Sequence, residues 1–130
     1  MKPWLLLVYA AASLLHFAHN AEYLAYYPNL PSWFSRVAIY LAWLAILSIG
    51  IVGYLLFRRG LAVTGLTLLT VYTALGFGGL LHYGRAPMSA HTVGMNLTIW
   101  LELAAASAAL GQVLLTAASL GRVVKSGGTA

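Results

Sequence analysis

Residues 33–57 read WFSRVAIYLAWLAILSIGIVGYLLF, twenty-five residues with Arg36 as the one charge. An apolar helix of about 20 residues covers the hydrocarbon core of a bilayer, so this stretch reads as a membrane span. It stops at Arg58-Arg59-Gly60, and a second apolar run from Leu61 to Tyr83 stops at Gly84-Arg85-Ala86-Pro87. Upstream, Pro28-Asn29-Leu30-Pro31 closes a run that begins at Pro3 and ends at Tyr26. Neither proline can continue a helix, and Ser32 is the expected N-cap of the span that follows. A last run starts after Ser89 and reaches about Leu120, leaving a polar tail through Lys125-Ser126-Gly127-Gly128. The predicted helices are 3–26, 33–57, 61–83 and 90–120, in one domain covering 1–130. Connections this short force neighbouring helices to be antiparallel. The expected fold is an all-α integral membrane protein, a four-transmembrane-helix antiparallel bundle.

Composition agrees. Of 130 residues 62% are hydrophobic and 7% charged, and mean hydropathy is +0.86. A soluble domain carries roughly 25% charged residues, and disorder requires still more charge with less hydrophobicity. Both classes are excluded. The absence of cysteine removes disulfides, thiolate metal sites and cysteine nucleophiles. Net charge is +5 and the pI 9.8, yet the basic residues are scattered, and nucleic acid needs a clustered basic face. They read instead as topology markers. Lys2, Arg58, Arg59, Arg122 and Lys125 fall on one side, Arg36 and Arg85 on the other. The positive-inside bias then puts both termini in the cytoplasm. The cytoplasmic membrane of a bacterium or archaeon is the expected location, as a multi-pass protein. Lys2 and the apolar stretch from Trp4 to Leu15 have the outline of a signal peptide. The apolar character continues to Tyr26, so an uncleaved first helix is expected. Tyr26, Tyr27, Trp33, Phe34 and Tyr83 would form the outer aromatic belt.

Against this background the polar residues stand out. His16, His19 and Glu22 lie in the outer third of the first span, His82 ends the third, and His91 begins the fourth. All four histidines therefore share one leaflet. Intramembrane acids are costly and usually functional, which makes Glu102, near the bilayer centre, the most informative residue. It must be protonated, paired, or facing a wet cavity. At 100° per residue, His91 and Glu102 differ by only about 20° in direction, and Met95 and Thr98 share their stripe. His16, His19, Asn20 and Tyr23 are expected on one face of the first helix. Asn96-Leu97-Thr98 is a glycosylation sequon inside a span, and Gly76, Gly78 and Gly79 serve helix packing rather than phosphate binding.

His16-x-x-His19-x-x-Glu22 has a spacing that places successive side chains one turn apart, as metal ligands in helical bundles are. The leading expectation is a histidine/carboxylate metal site near the outer face, with His16, His19, His82 and His91 as ligands. Glu22 and Glu102 would be ligand, base or proton acceptor. Nitrogen and oxygen donors without thiolate suit copper(II), zinc or iron. Three alternatives stand beside it. Haem b could be held between two histidines such as His16 and His82. Glu102 and a histidine could carry out acid/base chemistry on a membrane lipid or isoprenoid. The chain could also be an accessory subunit or homo-oligomer, docking through the Ala-rich run Ala104 to Ala109.

Overall fold

The computed structural model describes the backbone of residues 1–127 and the side chains of residues 1–122. These residues are helical, without strands: α1 (Pro3–Glu22), α2 (Arg36–Arg58), α3 (Ala62–Leu75) and α4 (Val93–Gly127). α3 continues as a 3₁₀ stretch over Gly76–His82, and single 3₁₀ turns occupy Leu24–Tyr26 and Met88–Ala90. With that continuation, four helical segments are long and apolar enough to cross a membrane.

Local chemistry sets most boundaries, and several differ from the sequence reading. Pro3 opens α1, where its missing N–H costs nothing. α1 ends at Glu22, four residues short of Tyr26, because Tyr23 leaves helical geometry (φ −111°) and a tight turn follows. α2 is capped by Ser35 rather than Ser32: the Ser35 Oγ accepts from the Ala38 N–H at 3.1 Å. α2 ends at Arg58, and Gly60 in the turn beyond it has a φ of +85°, which lets the chain reverse before α3 starts at Ala62. α4 begins at Val93 and stays helical to Gly127, so the anticipated polar tail is helix up to there. Gly128 lies outside the described residues.

α1 packs against α2 and α4, and α3 against the same two, so α1 and α3 face each other across a diagonal. The half of the bundle near the termini has an apolar core that includes Leu6, Tyr9, Leu66, Leu69, Tyr72, Ala106, Ala109 and Val113. Ala105, Ala106 and Ala109 turn into this core while Ala104 and Ala108 face outward, so the alanine run splits between two faces. The distal half holds the buried polar residues instead.

The change from α to 3₁₀ geometry at Gly76 orients that distal half. The Gly76 N–H turns to Thr73 O, which leaves Tyr72 O free for another donor. The Tyr9 hydroxyl donates to Tyr72 O at 3.1 Å across the diagonal. Only glycine fits at position 76, since a Cβ there would lie 2.6 Å from Ala106 Cβ and 2.7 Å from the Tyr9 ring. Three residues per turn then place His82 directly above Gly79.

Candidate functional site

Four elements meet at the end of the bundle away from both termini. α1 contributes a buried polar stripe, Tyr9, Ser13, His16 and Asn20, at steps of four, three and four residues. α4 contributes Met95, Thr98 and Glu102. His91, which the sequence reading placed on the same helix, lies two residues before it in extended backbone (φ −97°, ψ 144°) after the Met88–Ala90 turn. All four are buried. The 3₁₀ stretch brings His82 between them, and the 24–34 loop folds Tyr27 over the top.

His16 and Glu102 form the centre. Each is 2% exposed, and His16 Nδ1 lies 3.4 Å from Glu102 Oε2, within ion-pair distance but not aligned as a hydrogen bond. Gly79 makes room for both: a Cβ there would stand 3.3 Å from His16 and 3.5 Å from Glu102 Oε2. The His82 ring lies 5.5 Å from the His16 ring and 6.1 Å from that of His91, centroid to centroid. Asn20 Nδ2 donates to His82 Nε2 at 3.4 Å. His91 Nδ1 donates to Pro87 O at 3.0 Å, which fixes its tautomer and leaves a bare lone pair on Nε2. That nitrogen is buried without a partner, as are Ser13 Oγ and Asn20 Oδ1. Unsatisfied buried polar atoms are rare and mark a functional site, a water or a ligand.

The remaining two candidates sit apart from this centre. His19 packs against α4 at Gly94, stacks on Tyr23 at 4.7 Å, and shares a 2.8 Å hydrogen bond with the Tyr27 hydroxyl. Glu22 is exposed. Its Oε1 pairs with Arg36 at 2.7 Å and accepts from the Tyr40 hydroxyl at 2.9 Å. The structure thus brings together His16, His82, His91 and Glu102, and leaves His19 and Glu22 at the rim. Tyr27, expected in the outer belt, is buried instead at 4% exposure.

His16, Asn20, His82 and Glu102 line a cavity of about 370 Å³, and Phe17, Trp33, Phe34, Ile39 and Ile46 are among the residues of its apolar wall. Arg85 stands among its lining residues with its side chain exposed. A concave site of a few hundred Å³, mostly apolar with a few convergent polar groups, is the usual form of a small-molecule pocket. Ser13 and Phe17 were not singled out from the sequence, and Tyr27, Trp33 and Phe34 were read as an interfacial belt rather than as parts of a site. The four-three-four spacing on α1 is a signal for Ser13, but nothing local marks Tyr27.

No three His, Asp or Glu side chains among the described residues are arranged to hold a metal ion. Comparisons with protein-family models, with characterised proteins and with solved structures find no match to this chain.

Proposed function

We propose that this chain is a multi-pass membrane protein with both termini in the cytoplasm, whose His16–Glu102 pair moves protons to and from a lipid-soluble molecule held in the distal cavity. One observation carries the reading: a buried imidazole and a buried carboxyl group, 3.4 Å apart, border a cavity with largely apolar walls. Such a pair can take a proton from one position of a bound molecule and return one to another. It ends with the protons it started with, so no further reactant is required. Asn20 and His82 border the same space and orient a polar group of the ligand. An apolar wall keeps bulk water from competing for the proton.

The test is hydrogen exchange into lipids that stay bound to the purified protein. In deuterated buffer, the wild type should incorporate deuterium at carbon in a co-purifying lipid. The Glu102→Gln protein, with helicity and melting preserved, should do so at least about tenfold more slowly, the usual scale for lost acid/base catalysis. Equal incorporation in the two proteins would defeat the reading. A second reading is favoured by the bare His91 Nε2 and the unpartnered His16 Nδ1. In it, His16, His82, His91 and Glu102 shift their rings to hold copper, zinc or iron. Metal content of the same two preparations separates the readings: stoichiometric metal that is lost in Glu102→Gln supports the second.

A further inference from the structure

A second cavity, of about 310 Å³, lies between α1 and α2 in the half near the termini, bordered by Leu6, Ala10, Leu47, Gly50, Tyr54 and Tyr72 among others. No charged side chain lines it. The two cavities follow one stripe of α2: Ile39, Ala42 and Ile46 border the first, Gly50 and Tyr54 the second. They share no lining residue, and Ile46 and Leu47, one from each, are neighbours in sequence, so the two cavities come to the same level of α2. From Ile39 to Tyr54 the stripe runs about 22 Å at 1.5 Å per residue. Half of a hydrocarbon core is only about 15 Å, so the stripe outreaches the acyl chains of one leaflet. At its distal end stands Arg85. The ion pairs among the described residues are His16–Glu102 and Arg36–Glu22, so the Arg85 guanidinium has no carboxylate partner there. A planar guanidinium beside an apolar slot matches an anionic head group.

We propose that the seam between α1 and α2 binds a single-chain lipid anion, with its head at Arg85, its first carbons beside His16 and Glu102, and its chain continuing into the second cavity. This rests on the lipid-soluble ligand proposed above and names its class. Positive charge at the mouth, polar groups next and bare hydrocarbon beyond match such a molecule segment by segment. A two-chain phospholipid does not fit, because the stripe offers one track. Gly50 keeps the track open beside the Tyr72 ring, which a Cβ there would meet at 2.8 Å.

The experiment uses eicosyl phosphate carrying a photoactivatable diazirine on its terminal carbon, added to the full chain in lipid nanodiscs. Saturable adducts should map to residues 3–10 and 47–55. Arg85→Gln should reduce them about tenfold, while the matching eicosanol probe labels both proteins equally weakly. Ala10→Phe, which fills the second cavity from its partly exposed edge, should move the adducts out of these segments without abolishing Arg85-dependent capture. Adducts that are not saturable, or that fall only on outward residues such as Val37 and Val63, would overturn the proposal. So would labelling indifferent to Arg85. Because this is a binding readout, it fails or succeeds separately from deuterium incorporation: correct labelling with no Glu102-dependent exchange rejects the proton-transfer reading alone.

Discussion

Single side chains decide how the distal end holds together, and Tyr27 shows it most clearly. It comes from a loop, is 4% exposed, and its hydroxyl bonds His19 Nδ1 at 2.8 Å. Burial pushes that hydroxyl above the ordinary phenol value of 10.0. The sign follows from linkage: a folded value above the unfolded one gives stability that is complete below about pH 10 and lost as the pH climbs through the folded value. Tyr27→Phe should therefore cost about 1 kcal/mol at neutral pH, the net worth of one hydrogen bond. The gap between the two proteins should close above about pH 10. Chemical melts of both proteins from neutral pH to about pH 11 check this, and a gap that widens with pH would contradict it. Other residues at this scale were readable in advance. Met95, Thr98 and Glu102 share a buried stripe because α4 is regular between them, whereas His91 precedes the helix in extended backbone and is buried by the turn that places it, not by the helical offset. His19 and Tyr23 were grouped with His16 wrongly. A step of three leaves a 60° residual on an α-helix, enough to swing His19 to Gly94. Tyr23, only about 20° from His16 in direction, is exposed where α1 has ended and its backbone has left helical geometry.

At the scale of elements, span number and order were legible because proline, arginine and glycine interrupt long apolar runs. The internal geometry of α3 was not. A periodicity of 3.6 was assumed as far as Tyr83, whereas the helix tightens at Gly76, where a tyrosine from the diagonal partner takes the freed carbonyl. That contact is long-range, so no window of sequence around Gly76 contains it. The α2–α3 pair is held by a similar fit. A Cβ at Gly65 would lie 2.5 Å from Phe57 N and 2.8 Å from Gly53 O, both backbone atoms that have no rotamer to move. Gly65→Ala and Gly76→Ala should each lower stability by about 1–3 kcal/mol, as overpacking does. Gly111, in α4 with nothing within 4 Å, is the control. Its change to Ala should be neutral or stabilise by up to about 1 kcal/mol through helix propensity. Thermal melts of the three proteins in one detergent test the ranking, and a Gly65→Ala protein as stable as Gly111→Ala would refute the close approach.

Across the whole molecule the usual distribution of side chains is inverted. Val93 is 84% exposed, Val63 82% and Leu115 71%, while Glu102 and His16 are each 2% exposed. In water, so continuous an apolar surface would associate or aggregate. In lipid it has no such cost, and polar groups then gain most by gathering inside. Which end faces the cytoplasm is a separate question, on which charge makes a testable prediction. Lys2, Arg58, Arg59, Arg122 and Lys125 flank the end with the termini, against Arg36 and Arg85 at the other. Short loops follow such a bias. The chain has no cysteine, so one introduced thiol reports its side without background. Met88, in the distal loop and 46% exposed, and Leu61, in the turn between α2 and α3 and 56% exposed, are suitable sites. Met88→Cys should react with an impermeant maleimide in intact cells. Leu61→Cys should react only after the membrane is opened. Replacing Arg58 and Arg59 together by Ala should produce a mixed population, because the bias then narrows to three against two. The reverse labelling pattern would turn the cavity mouth and Arg85 toward the cytoplasm. The contacts among His16, His82 and Glu102 would be unchanged, but the ligand would then have to enter from the inner leaflet.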